Sequence, residues 1–109
     1  MEPPAPGTPF VIRREQLPLL TRPYRAPRMP SEQRLAEIWR AALSLDQVGI
    51  DDRYVDLGGD SLIAAVIFSR IEAEFGVHLP MVTLDSAPTI ADLAARIDVV
   101  VAGRDAGRA

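Results

Sequence analysis

The chain has 109 residues, 48% of them hydrophobic, and a net charge of −3 at pH 7, which fits one small globular domain with flanking tails. It contains no cysteine, and this excludes disulfides, thiolate metal sites and cysteine nucleophiles. No stretch approaches the roughly 18 apolar residues of a membrane span, and no signal-peptide pattern opens the chain, so we expect a cytoplasmic protein without membrane contact.

Charge and proline divide the chain into three parts. Residues 1–30 hold five Arg, two Glu and eight of the ten prolines, a composition typical of a Pro/Arg-rich linker or disordered segment. Residues 31–102 hold five Arg against twelve acidic residues (−7) and are predicted to be the folded domain. Residues 103–109 have no large apolar side chain and are predicted to be a disordered tail. The acidic domain disfavours nucleic-acid binding, which only the arginine-bearing N-terminal part would support.

The segment after Pro30 has helical periodicity. Ser31 is predicted to cap a first helix that ends near Ser44, and its apolar face consists of Leu35, Ile38, Trp39, Ala42 and Leu43. Residues 45–60 show no sustained period and are rich in Gly and Asp, so a long ordered loop is expected there. Five apolar side chains are expected to pin this loop down: Val48, Ile50, Tyr54, Val55 and Leu57.

The second helix is predicted to run from about Ser61 to Phe75, with Asp60 or Ser61 as its cap and Gly76 in the left-handed position after its end. One broad face of this helix is strongly apolar and is predicted to be core: Ile63, Ala64, Ile67, Phe68, Ile71 and Phe75. The opposite side is smaller and largely apolar: Leu62, Ala65, Val66, Ser69 and Ala73. This second surface is either covered by the long loop or offered to partner proteins.

The last helix follows a short turn at residues 82–85. Thr89 and Asp92 resemble a capping box at its start, and its apolar stripe consists of Ile90, Leu93, Ala94 and Ile97. The helical patterns together predict an all-α fold, a small helical bundle.

The stretch "DLGGDSL" at residues 56–62 places Ser61 after two glycines and an aspartate, where the second helix begins. A catalytic serine needs a base within hydrogen-bond reach, but His78 is the only histidine and lies past this helix. The hydrolase motif G-x-S-x-G is also absent, because Ile63 stands where the second glycine is required. Ser61 is therefore interpreted either as part of a helix cap or, because it lies at a helix start beside the small apolar surface and acidic neighbours, as a residue that another enzyme modifies.

The neighbours of Ser61 allow more than one interpretation. Gly58 and Gly59 either only form a turn or also let a foreign active site approach the hydroxyl. Asp60 either caps the helix or helps a modifying enzyme to hold a metal ion. The helix dipole favours a phosphate on Ser61, whereas the charge of Asp60 opposes it. No window fits the twelve-residue calcium loop, so no metal is expected in the chain alone.

Residues 48–97, "VGIDDRYVDLGGDSLIAAVIFSRIEAEFGVHLPMVTLDSAPTIADLAARI", closely resemble the peptidyl carrier (thiolation) domains of nonribosomal peptide synthetases, which belong to the acyl carrier protein-like family. The resemblance extends over about residues 24–98. Its most specific element is "LGGDSL", when followed by this helix and by the "PTI-x-x-LA" pattern.

The resemblance implies a four-helix bundle with a short third helix near residues 82–85. It implies that Ser61 receives 4′-phosphopantetheine from coenzyme A through a separate phosphopantetheinyl transferase, with Asp60 and Gly59 beside the attachment point. It further implies a carrier without catalytic activity, whose arm holds an aminoacyl or peptidyl group as a thioester during natural-product (antibiotic) biosynthesis. The contact positions that partner enzymes read are Gly58, Leu62, Ala65 and Val66. The implied partners, besides the transferase, are an adenylation enzyme or domain and condensation or tailoring enzymes, and a monomer is expected.

Two positions depart from the family pattern. Val55 stands where a second aromatic residue is usual, and Asp60 stands where His is frequent. Aspartate at this position is a known variant that also makes the motif similar to that of acyl carriers of polyketide and fatty-acid systems. The double glycine favours a peptidyl carrier. An acyl carrier for polyketide or aryl units and an unmodified helical adaptor stay open as alternatives. The stretch "LPLLTRPY" resembles the linker after an adenylation domain, but the lysine-containing end of such a domain is missing. Because the chain begins with Met and ends in a tail predicted to be disordered, we expect a free-standing carrier rather than an excised domain.

Overall fold

The computed structural model describes residues 11–107, and the side chains as far as residue 104. Four α-helices follow one another within this range: α1 (Pro30–Leu43), α2 (Ser61–Phe75), α3 (Thr83–Ser86) and α4 (Ile90–Gly107). Helix α1 packs against both α2 and α4. The predicted all-α bundle with a short third helix is confirmed. None of the described helices is long and apolar enough to cross a membrane.

The core lies where α1, α2, α4 and the loop between α1 and α2 meet. The apolar faces predicted for the three long helices point into it, and its most enclosed members are at most 1% exposed: Leu35, Trp39, Leu45, Ile50, Ile67, Ile71, Ile90, Leu93 and Ile97. Each fully buried aliphatic side chain of this kind contributes about 1.5–3 kcal/mol to the free energy of unfolding. The helix periodicity therefore accounts for the packing of the bundle.

The helix ends follow the local sequence, with one exception. Helix α2 ends at Gly76 in the left-handed conformation, φ 65°, as predicted. The prediction that Ser31 caps α1 is wrong, because the helix begins at Pro30, a residue whose fixed φ suits the first helical position. Ser31 therefore lies inside the first turn, and its hydroxyl instead donates to the Asp98 carboxylate of α4, 3.0 Å away.

The loop between α1 and α2 is anchored by four of the five side chains predicted to hold it. Val55 is the exception, since its side chain is 54% exposed. Residues Tyr54–Leu57 form a 3₁₀ helix, in which side chains three positions apart share a face. Tyr54 and Leu57 therefore point into the core together, and Val55 points away from it.

Residues 11–29, which we call the N-terminal segment, pack on this loop. Arg14 is buried, and its guanidinium donates two hydrogen bonds of 2.6 Å to the fully buried carboxylate of Asp52. The backbone of Ile12 also bonds to Ser44 and Asp46, at 2.7 and 2.9 Å. The linker or disordered segment expected over residues 1–30 thus differs from the structure at residues 11–29, because these contacts attach them to the bundle. Residues 1–10 lie outside the described residues.

The last helix is longer than expected. It continues through Gly107, five residues past the boundary predicted at residue 102. Arg104 holds its end against α2, since Nη1 donates to the carbonyl oxygen of Gly76 at 2.6 Å. The disordered tail predicted over residues 103–109 is therefore helical as far as residue 107, and residues 108–109 lie outside the described range.

Candidate functional site

Ser61 is exposed and occupies the first position of α2. Asp60 is the residue that caps this helix, since its carboxylate oxygen Oδ1 accepts the backbone N–H of Ile63 at 2.8 Å. A helix of 15 residues presents unpaired N–H groups and a partial positive charge at its first turn. The serine hydroxyl therefore lies where solvent reaches it and where an attached anion is favoured.

Positions 58 and 59, shortly before Ser61, each require glycine, but for different structural reasons. Gly58 has φ +86°, a left-handed conformation that disfavours any other residue, and a Cβ at this position would have no heavy atom within 4 Å. Gly59 lies against the ring of Tyr54, and a Cβ there would overlap the ring. Both glycines are thus required by the turn itself, and the open surroundings of Gly58 also leave space beside the serine.

Tyr54 connects the core to this turn. Its hydroxyl donates a hydrogen bond of 2.7 Å to the carbonyl oxygen of Asp60. Burial and, to a lesser extent, the nearby Asp60 charge raise the pKa of Tyr54 to about 12, against the opposing effect of the bond to the Asp60 backbone. The phenol is therefore a protonated donor at neutral pH. In the sequence Tyr54 was identified only as a loop anchor, and nothing in its spacing indicates that its hydroxyl reaches Asp60.

A groove of about 300 Å³ opens beside Ser61, between α2 and α3. We call it the serine groove. It is lined mainly by apolar residues of the loop, α2 and α3, with two carboxylates, Asp60 and Asp85. The exposed serine thus borders a concave surface of this chain.

The outer face of α2 is uncovered. Leu62 is 77% exposed and Val66 47% exposed, and Ala65 between them is exposed as well. These three residues, named the α2 patch, begin directly after Ser61. Of the two possibilities that the sequence left open, a loop covering this surface or an open surface, the structure shows the open one.

His78 lies far from Ser61. Its ring nitrogen Nδ1 is 3.4 Å from the carboxylate of Glu72, which stands eleven residues after Ser61 on α2 and hence about 16 Å further along the helix axis. The ring therefore cannot act as the base for this serine. Among the side chains that the structure describes, residues 11–104, no group of three or more acidic or histidine side chains is placed to hold a metal ion.

The family model described as "Phosphopantetheine attachment site" matches residues 33–97. The chain belongs to this family. The resemblance noted in the sequence is therefore confirmed, together with the class of its cofactor: the chain is a carrier domain with a phosphopantetheine attachment site.

Relatives with curated descriptions place the phosphopantetheine attachment-site domain in much larger proteins. The chain is 47% identical over 75 residues to a dimodular nonribosomal peptide synthase of Bacillus subtilis (strain 168), an alignment that covers 69% of this chain and 3% of that protein. It is 37% identical over 84 residues to the indigoidine synthase of Streptomyces lavendulae, covering 77% of this chain and 7% of the synthase. The chain thus spans only a small fraction of these relatives.

One solved structure contains a chain that is matched over nearly its whole length. A chain in the complex of the phosphopantetheine transferase Sfp with coenzyme A and a peptidyl carrier protein is 36% identical, with a TM-score of 0.68, and the match covers 70% of this chain and 99% of that one. The four-helix fold is therefore that of a peptidyl carrier.

Proposed function

We propose that Ser61 is the attachment point of 4′-phosphopantetheine, and that the chain carries aminoacyl or peptidyl groups in nonribosomal peptide synthesis without catalysing a reaction itself. The single observation that carries this proposal is the exposed Ser61 at the first position of α2, between the serine groove and the α2 patch. Membership of the phosphopantetheine attachment-site family supports the same conclusion.

The residues around Ser61 fit a phosphopantetheine group. The first turn of α2 offers backbone N–H groups and a helix dipole that favour a phosphodiester on the serine oxygen. The carboxylate of Asp60 opposes this effect, but it is partly occupied by the N–H of Ile63. The open side of Gly58 leaves room for the attached group. When bound, phosphopantetheine supplies a long arm whose terminal thiol holds the carried group as a thioester.

The surroundings of Ser61 suit a substrate of another enzyme. His78 lies beside Glu72, which is about 16 Å from Ser61 along the helix axis, and the carboxylates in the groove lining are Asp60 and Asp85. Of these, Asp60 is engaged as a helix cap. We therefore assign the activation of the hydroxyl to the transferase, and to this chain the presentation of Ser61 in a fixed and accessible position.

The α2 patch is proposed as the surface that partner enzymes contact, with Gly58 at its edge. Apolar side chains as exposed as Leu62 and Val66 lose contact with water when a partner covers them, which favours docking. The partners expected are the transferase with coenzyme A, an adenylation enzyme or domain, and condensation or tailoring enzymes. Because a tether raises the local concentration of the carried group at each active site, weak docking by so small a patch is sufficient.

The first experiment measures attachment. The purified chain is incubated with coenzyme A and a phosphopantetheinyl transferase of broad specificity, and its intact mass is recorded. We expect a gain of one phosphopantetheine group, which Ser61→Ala abolishes. Ser69→Ala is the matched control, since Ser69 is an exposed serine on the same helix, and it is expected to be modified as the native chain is. An unchanged mass of the native chain would refute the proposal.

The second experiment tests the α2 patch. Val66→Ala is expected to raise the KM of the transferase for this chain about two- to tenfold, because it removes two methyl groups from the apolar surface that the partner covers. Val99→Ala removes the same atoms from α4, where Val99 is 73% exposed, and is expected to leave KM unchanged. Equal effects of the two substitutions would contradict a specific role of the patch.

The carried group is tested by loading. The modified chain is offered to adenylation enzymes with amino acids, and to enzymes that load polyketide or aryl acyl groups. Loading with an amino acid supports the peptidyl carrier, and loading only with the other groups supports the acyl carrier. An unmodified adaptor predicts a mass that never changes and partner binding that survives Ser61→Ala.

A further inference from the structure

Tyr54 is fixed in the core from several directions. It is 5% exposed, and its ring packs edge-on against the ring of the fully buried Trp39, with centroids 5.4 Å apart and planes at 78°, a favourable geometry for aromatic pairs. Its backbone N–H donates to the carbonyl of Pro88, just before α4, at 2.9 Å. The ring therefore has little freedom to move.

The hydroxyl of Tyr54 lies at the edge of the core, next to the peptide group that joins Asp60 to Ser61. It donates at 2.7 Å to the carbonyl oxygen of Asp60, and the same oxygen accepts the N–H of Ala64 at 3.0 Å, the first turn of α2. The C=O of Asp60 and the N–H of Ser61 belong to one planar unit. A hydrogen bond that fixes the Asp60 carbonyl therefore also fixes the orientation of the peptide plane that contains the Ser61 nitrogen.

The other side of the turn is held by the same residue. The backbone N–H of Gly59 donates to the carbonyl of Tyr54 at 3.3 Å, and Gly59 lies so close to the ring that a Cβ would overlap it. The ring and the backbone of Tyr54 thus contact Gly59, and its hydroxyl contacts Asp60, so that both residues preceding Ser61 are held by Tyr54.

We propose that Tyr54 is a positioning residue for Ser61: through the Asp60 carbonyl, its hydroxyl keeps the serine hydroxyl in the orientation that the transferase engages. The inference rests on the proposed function, because it matters only if Ser61 is modified. Tyr54 touches neither coenzyme A nor the reacting atoms in this role. The raised pKa of Tyr54, about 12, agrees with it, since the phenol keeps its proton at the pH of the reaction.

Tyr54→Phe isolates the hydroxyl, since the ring that packs on Trp39 and Gly59 is kept. The Asp60 carbonyl then retains only the bond from Ala64, and the start of α2 gains freedom. Because the α2 patch is unchanged, we expect KM for the transferase reaction to stay within about twofold. We expect kcat to fall about five- to tenfold, the equivalent of one net hydrogen bond.

The experiment compares the native chain, Tyr54→Phe and Tyr24→Phe in steady-state transfer from coenzyme A. Tyr24 is the only other tyrosine, is 40% exposed and lies in the N-terminal segment, so its substitution controls for the chemical change. Circular dichroism at the assay temperature verifies that each variant is folded. A kcat unchanged in Tyr54→Phe, or lowered equally in Tyr24→Phe, overturns the inference, whereas a native chain that is never modified overturns the proposed function instead.

Amide hydrogen exchange is a second measurement of how firmly the start of α2 is held, and it does not depend on the transferase. In Tyr54→Phe the hydrogen-bonded amides of the first turn, Ile63 and Ala64, are expected to exchange faster than in the native chain, while amides in the middle of α1 and α4 keep their rates. Faster exchange everywhere would indicate a general loss of stability, and it would overturn the positioning role even if kcat had fallen.

Discussion

The ion pair of Arg14 and Asp52 offers the sharpest test of how the N-terminal segment is attached. Their side chains are 10% and 0% exposed, and the Asp52 carboxylate accepts two bonds from Arg14 and one, at 2.8 Å, from the backbone N–H of Gly49. In Arg14→Gln the Asp52 carboxylate stays buried but no longer has a positive charge beside it. Breaking a buried pair in this way costs about 3–5 kcal/mol, a large part of the roughly 5–15 kcal/mol that stabilises a small domain.

Urea unfolding followed by Trp39 fluorescence measures this cost, because Trp39 is fully buried in the folded chain. With a slope of about 1–1.5 kcal/mol per M, the midpoint of Arg14→Gln is expected to fall by about 2–5 M. Arg13→Gln is the control, since the Arg13–Glu15 pair next to it is exposed and surface pairs contribute about 0–1 kcal/mol.

The double variant Arg14→Met, Asp52→Leu removes both charges. Apolar replacement of a buried ion pair is often neutral, so most of the lost stability is expected to return, less the unpaired N–H of Gly49. If Arg14→Gln costs no more than Arg13→Gln, residues 11–29 do not depend on this pair, and the packing described for the N-terminal segment is refuted.

Three further predictions concern the turn before α2 and the start of α1. Gly59→Ala forces a Cβ into the Tyr54 ring and is expected to cost about 1–3 kcal/mol, against about 1–2 kcal/mol for the left-handed strain of Gly58→Ala. Thermal melts compare the two, and a Gly59→Ala chain as stable as the native one contradicts the ring contact. Hydrogen bonding to Arg28 holds the pKa of Glu32 below its ordinary value of 4.5, so its contribution is fully present above about pH 4.5 and is lost as the pH falls through the lower folded value. Urea titrations between roughly pH 3 and 6 are expected to show less acid sensitivity in Glu32→Gln, and identical curves would count against this assignment. Because the pKa of Tyr54 rises from 10.0 to about 12, the unfolded chain loses its phenolic proton first, and stability falls by about 2 kcal/mol between pH 10 and 12. Tyr54→Phe lacks this part of the alkaline loss, and phenolate absorbance of the folded chain follows the titration directly.

The parts of the fold that depend on local pattern were predictable from the sequence. The spacing of Ile67 and Ile71 gives the buried face of α2, and Asp60 and Gly76 mark its ends through capping preferences that act within one turn. Ser31 was assigned wrongly for a local reason too, because two residues in succession, Pro30 and Ser31, can each begin a helix.

The remaining contacts could not be predicted because they join distant parts of the chain. The Arg14–Asp52 pair spans 38 positions, and a count of charges says nothing about which arginine meets which carboxylate. The same holds for the pairing of Ser31 with Asp98 across 67 positions. The hydroxyl of Tyr54 was missed because an aromatic residue in a loop is indistinguishable, in sequence, from an ordinary core anchor.

The packing of the N-terminal segment on the loop also affects how far the bundle can move relative to a polypeptide joined upstream. Were residues 11–29 free, as a proline-rich connection is usually taken to be, they would add up to about 60 Å of reach between the bundle and any polypeptide joined upstream. Held against the loop, they contribute none of this reach, and Pro30 is not a point about which the bundle turns freely. Under the proposed function, the carried group is then moved between active sites by the phosphopantetheine arm and not by an unfolding of residues 11–29 from the bundle.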